Sequence, residues 1–147
     1  MLVVHPFARS IESQYRKHGS ALFADQRVLP LFSLQVLNPP STHAPQTEGY
    51  KSWLDALESL RARVLSLSFD VALIGCGAYG LPLAAAIQRA GRQSIHLGGA
   101  LQLLFGIRGR RWDDDPVIRS MSNSRWVRPS AEETPSSADL IEGGCYW

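Results

Sequence analysis

The chain has 147 residues, 45% of them hydrophobic and 19% charged, with a formal net charge of +2. That length suits one domain with one core, and so mild and balanced a charge does not announce a nucleic-acid partner, whose footprint needs clustered basic charge. No run reaches the roughly 18 apolar residues of a membrane span, and Met1 to Pro6 carries no basic signal-peptide region.

Leu2 to Val4 reads as a short buried strand closed by His5-Pro6-Phe7. Ser10 then stands where a helix cap would, ahead of Ile11 and Tyr15 four residues apart, and the helix is expected to end near Gly19. Leu31 to Leu37 is a second extended run, stopped at Asn38-Pro39-Pro40 because a residue before proline is pushed out of helical torsions. Ser41 to Gly49 is polar and turn-rich. From Trp53 the apolar residues Leu54, Leu57, Leu60, Val64 and Leu65 recur at three- and four-residue steps, the pattern of an amphipathic helix. Asp70 to Ile74 is a continuous apolar run after one acid, as in a parallel strand buried on both faces. Leu81 to Ala90 continues as a helix that Gly91 can cap, and Ser94 to Leu97 forms a further strand. One or two helical turns are expected over Gln102 to Phe105. Asp115 before Pro116 starts another helix, and the chain becomes irregular from about residue 125. Alternation of strand and helix periods predicts an α/β, Rossmann-like three-layer domain over residues 1–147, with a mostly parallel sheet of about four or five strands.

The chemistry concentrates in loops that such a sheet sends to one edge. Gly75-Cys76-Gly77-Ala78-Tyr79-Gly80 satisfies G-x-G-x-x-G between a strand and a helix, where backbone amides at a helix start can meet an anion. A dinucleotide site also needs an acid about 20 residues on, and the next strand ends instead in His96-Leu97-Gly98-Gly99. The turn is therefore read either as a cradle for another phosphate-bearing ligand or as tight packing. Gly98 and Gly99 repeat the logic one strand later, with Gln102 just beyond. His96 is either a hydrogen-bonded core residue or an acid-base group. Arg108, Arg110, Arg111 and Trp112 offer guanidinium forks and an aromatic face, or else form a solvated loop paired with Asp113 to Asp115. Those aspartates read as caps and surface charge before they read as a metal site. His5 and Ser10 follow the first strand and join the candidate crevice or serve as local caps. Cys76 at a helix start is a candidate thiolate, or a small buried residue in a turn. No catalytic triad, carboxylate pair or histidine cluster can be assembled, and Cys76 and Cys145 fit neither a zinc site nor a disulfide framework. The expected home is a reducing cytoplasm.

Phe69 to Leu83 and Ile95 to Ile107, together with His5-Pro6-Phe7, Ser10, Gln14-Tyr15, Trp126, Pro129 and the closing Cys145-Tyr146-Trp147, carry a resemblance. They resemble the C-terminal half of uncharacterised bacterial proteins found with polysaccharide biosynthesis genes, and more remotely the glycosyltransferase-D type fold. The resemblance implies binding of a nucleotide or nucleotide-sugar, with sugar transfer as the related activity. It also implies an acidic motif before the donor site, which this chain does not show; Asp113-Asp114-Asp115 lie in a different region. A homodimer or protein partner, built on exposed aromatic surface around Trp112, Trp126 and Trp147, is the alternative to a small-molecule ligand.

Overall fold

The computed structural model describes residues 1–41 and 49–147, so most of the polar stretch between Ser41 and Gly49 lies outside the described residues. Four strands form one parallel sheet: β1 (Leu2–Val4), β2 (Gln35–Leu37), β3 (Val71–Ile74) and β4 (Gln93–His96), in the order β2-β1-β3-β4. Helix α1 (Ala8–His18) returns the chain from β1 to β2, α2 (Trp53–Leu65) from β2 to β3, and α3 (Gly80–Arg89) from β3 to β4. A right-handed crossover outward on one side and two more on the other must place α1 on one face and α2 with α3 on the opposite face. The result is a doubly wound, three-layer α/β architecture.

The period-2 alternation of strands sorts the core into two parts. Leu2, Val4, Ala72 and Ile74 pack against Leu60 and Val64 of α2 and Leu83 and Ile87 of α3. Val3 and Leu73, pointing the other way, pack against Ile11 and Tyr15 of α1, together with Phe105, Ile107 and Trp126. Beyond β4 come a short α4 (Leu101–Leu104) and α5 (Pro116–Met121), then a coil carrying only brief 3-10 turns. That coil is packed down: Trp126 is buried, its indole N–H donates to the Leu22 carbonyl at 2.9 Å, and Val127 bridges Ile107.

Two elements begin elsewhere than expected. The second strand is shorter, Gln35–Leu37, because the Phe32 backbone is bonded through both its N–H and its C=O to the Tyr15 hydroxyl of α1 instead of to a strand. Ser10 does not cap α1. The helix starts two residues earlier, its N-cap Phe7 offers no side-chain acceptor, and Glu133 from the distant coil accepts from the amides of Arg9 (2.8 Å) and Ser10 (3.1 Å). Ser10 Oγ donates to the same carboxylate. A carboxylate at this terminus is favoured by the partial positive charge of unpaired amides, whichever part of the chain supplies it. The other signals hold locally: Asp115 caps α5 through the amides of Val117 and Ile118, and Gly91 closes α3 with its N–H on the Gln88 carbonyl. Among the described residues no helix is long and apolar enough to cross a membrane.

Candidate functional site

The direction of winding reverses between β1 and β3, so the loops after these two strands diverge and leave a crevice at their carboxyl ends. A cavity of about 350 Å³ lies there. Its walls are His5 to Phe7 after β1, Gly75 to Tyr79 after β3, Gly99 and Gln102 before and within α4, and Trp53 at the start of α2. The C-terminal coil closes the remaining side with Ile141, Glu142, Tyr146 and Trp147. A second cavity of about 590 Å³ adjoins it, sharing Pro6, Pro39, Pro40 and Trp147. Its charged residues are already engaged: Arg9 pairs with Glu132, and Glu133 caps α1.

Two glycines explain why the smaller crevice stays open. Gly77 has φ of +55°, which L side chains adopt only with strain, and a Cβ there would meet nothing within 4 Å. A Cβ on Gly75 would stand 2.5 Å from the Gly98 carbonyl oxygen and 2.8 Å from His5 Cδ2, so glycine lets the three loops meet. The turn spends part of its donor set internally. Gly75 N–H donates to the Val4 carbonyl at 2.9 Å, Tyr79 N–H to Cys76 at 3.2 Å, and Gly80 N–H to Gly77. The amides of Gly77 and Ala78 donate no hydrogen bond among the described residues.

His5 is buried, and its Nδ1 accepts from the Phe7 amide at 3.0 Å. Burial pushes its pKa down to about 3, so at neutral pH the ring is uncharged with its proton on Nε2. Its Cδ2 lies against Gly75, and the neutral ring belongs to the crevice wall as an N–H bearing group instead of an acid-base group. Cys76 is also buried, and burial pushes its thiol up to about 12, which removes the thiolate reading. Gln102 is fully buried. Its Nε2 donates to the carbonyls of Tyr146 (3.0 Å) and Ile107 (3.3 Å), while its Oε1 has no partner among the described residues. An orphaned acceptor of this kind marks a place where a donor belongs. Trp53 stacks on Tyr79, ring centroids 5.2 Å apart and planes 9° from parallel, giving the crevice one flat aromatic wall.

A comparison with protein-family models, curated proteins and solved structures finds no match to this chain. Function therefore has to be argued from the site.

Of the residues singled out in the sequence, the structure brings His5, Gly75, Gly77, Ala78, Tyr79, Gly99 and Gln102 around one cavity. It leaves others outside. His96 ends β4 exposed, its imidazole over Gly80, so it is neither a core residue nor a wall of the crevice. Ser10 is tied to Glu133. Arg108, Arg110, Arg111 and Trp112 do not line the cavity, nor does Gly98, whose carbonyl only abuts Gly75. Two of the arginines bind the protein itself: Arg110 Nη2 donates to the Gly143 carbonyl at 2.8 Å and pairs with Asp139, and Arg111 donates to the Tyr146 hydroxyl at 3.0 Å. Asp113 pairs with Arg128, and no group of three metal-ligating side chains occurs among the described residues. Sequence reasoning missed Trp53, Glu142 and Tyr146 as walls. The glycine pair Gly143-Gly144 ahead of Tyr146-Trp147 was the available signal, since a merely solvated tail has no need of two large aromatics.

Proposed function

We propose that the crevice binds a nucleotide or nucleotide-sugar, with a single phosphate received by the amides of Gly77 and Ala78 and by His5 Nε2–H. The carrying observation is that Gly77, Ala78 and His5 line a cavity at the reversal point of a parallel sheet and that these donors are bonded to none of the described residues. Backbone amides at the start of a helix favour an anion through their partial positive charge. The stacked Trp53 and Tyr79 offer a flat apolar wall for a base or sugar face. Among the described residues of the lining the one charged side chain is Glu142 and none is basic, a balance that suits one phosphate better than a fully charged diphosphate. A volume of about 350 Å³ also sits at the lower end of the roughly 300–1,000 Å³ common for small-molecule pockets. A nucleotide-sugar would need its sugar to extend toward the adjoining cavity. The sequence resemblance to polysaccharide-associated proteins would imply the same ligand class, with sugar transfer as the related chemistry and no catalytic group assigned.

The test is a titration of the ¹⁵N-labelled protein with the four common nucleoside monophosphates. Saturation at 100 times the dissociation constant should stabilise the fold by about 2.7 kcal/mol, with the amide resonances of Gly77 and Ala78 moving most. Unchanged spectra and melting temperatures at millimolar concentration of all four would end the nucleotide reading.

A further inference from the structure

We infer that Glu142, supplied by the C-terminal coil, is the hydroxyl-reading group of the crevice and accepts from the ribose diol of the bound nucleotide. This rests on the nucleotide reading above and deepens it. Glu142 lines the same cavity as the donor-rich turn. Its φ of +48° makes it the only non-glycine with positive φ among the described residues, and Gly143 (+65°) and Gly144 (+69°) follow it. Such torsions in a non-glycine persist only where surrounding contacts impose them, and they gather at binding and catalytic sites.

The imposing contacts are visible, and they share one oxygen. Tyr146 O–H donates to Glu142 Oε2 at 3.0 Å, Arg111 Nη2 lies 3.4 Å from the same atom, and the Cys145 thiol is 3.9 Å from it. Oε1 makes no hydrogen bond or ion pair with the described residues, so the carboxylate is oriented through one oxygen and offers the other. Arg111 balances its charge, which keeps a carboxylate tolerable in a pocket that also receives an anion. Gln102 lines the same cavity, with its Oε1 buried and without a donor among the described residues. The crevice lining thus combines donors at Gly77, Ala78 and His5 with an acceptor at Glu142. A ligand complementary to both carries an anionic group and adjacent hydroxyls. A carboxylate on the ribose hydroxyls is a general feature of sheets that bind nucleotides at this edge, and here the strand before Gly98 lacks it. The coil brings one to the crevice from more than forty residues further along the chain.

The experiment measures the affinity of each nucleoside 5′-monophosphate against its 2′,3′-dideoxy counterpart, for the wild type and for Glu142→Gln. The wild type should prefer the ribonucleotide by at least about tenfold, as expected for hydrogen bonds to a charged acceptor, and E142Q should bring the ratio close to one. The ratio cancels any general change in phosphate affinity caused by removing a charge. The indole N–H of Trp147, bonded to the Glu133 carbonyl at 2.8 Å, reports by NMR whether the coil remains docked. Should E142Q release it, Arg110→Ala serves as the comparison, since it cuts the coil's bonds at Gly143 and Gly144 and spares the carboxylate. A preference kept in R110A and lost in E142Q supports Glu142, and equal loss in both overturns it. A wild-type ratio near one also overturns the assignment and leaves nucleotide binding standing, whereas a wild type that binds neither member of any pair removes both.

Discussion

The two faces of the sheet are covered by different means. On one, α2 and α3 lay regular apolar stripes over Leu2, Val4, Ala72 and Ile74; on the other, α1 shares the work with Phe105, Ile107 and a coil anchored by Trp126. Both faces reach full burial, as Leu60 and Leu83 on the first and Ile11 and Phe105 on the second show. A non-helical segment can therefore complete a core layer when a few large side chains penetrate it and its polar groups find partners. The difference matters for the site, because the coil extends past the sheet edge and closes one side of a crevice that Trp53 and Tyr79 wall from the helical side.

If the coil is core and not covering, replacing its anchor should cost as much as replacing a helical one. Trp126→Ala should destabilise the protein by about 3–5 kcal/mol in urea unfolding, comparable with the roughly 2–5 kcal/mol expected for Leu60→Ala. A loss under about 1 kcal/mol at Trp126 would separate the two faces energetically. A smaller effect probes the bond between coil and helix. Glu133→Ala removes the carboxylate acceptor of the Arg9 and Ser10 amides, and should cost about 1–2 kcal/mol by the same measurement, with Glu133→Gln in between. The effect that is smallest near neutral pH concerns the crevice wall. His5 has a folded pKa depressed to about 3 against 6.5 for the unfolded chain, so as pH falls below about 6.5 the unfolded state takes up a proton that the folded state refuses. Its contribution is fully present above that pH and fades below it, by about 1 kcal/mol at pH 6 and approaching about 1.4 kcal/mol for each further unit until pH nears 3. His5→Gln should flatten this part of the stability profile, and a profile unchanged by the substitution would show that His5 is hydrated in solution.

How far each region could be read follows the same division. The strand Val71–Ile74, the turn from Gly75 and the helix from Gly80 were legible because each is specified within a dozen residues: an unbroken apolar run, glycines where the backbone must turn, then a 3.6-residue period. Helix α2 was legible for the same reason, from Trp53 to Leu65. The start of α1 was not. Ser10 has the chemistry of a cap and lies at a plausible position, yet the acceptor that closes the helix is Glu133, more than a hundred residues away. The arginine loop failed similarly: guanidinium groups suit carbonyls and carboxylates of the protein as well as they suit phosphate, and Gly143, Gly144 and Tyr146 reached Arg110 and Arg111. Nothing in the spacing of Arg108 to Trp112 separates those partners.

By itself the sequence determined the α/β class, the parallel arrangement and the loop that would lie at the carboxyl edge, because periodicity, turn chemistry and crossover handedness act over short stretches of chain. Tertiary structure alone decided which side chains share the crevice. His5, Gln102, Glu142 and Tyr146 meet there through long-range closure of the coil over the sheet, and a contact between residues so far apart in sequence leaves no local pattern to read.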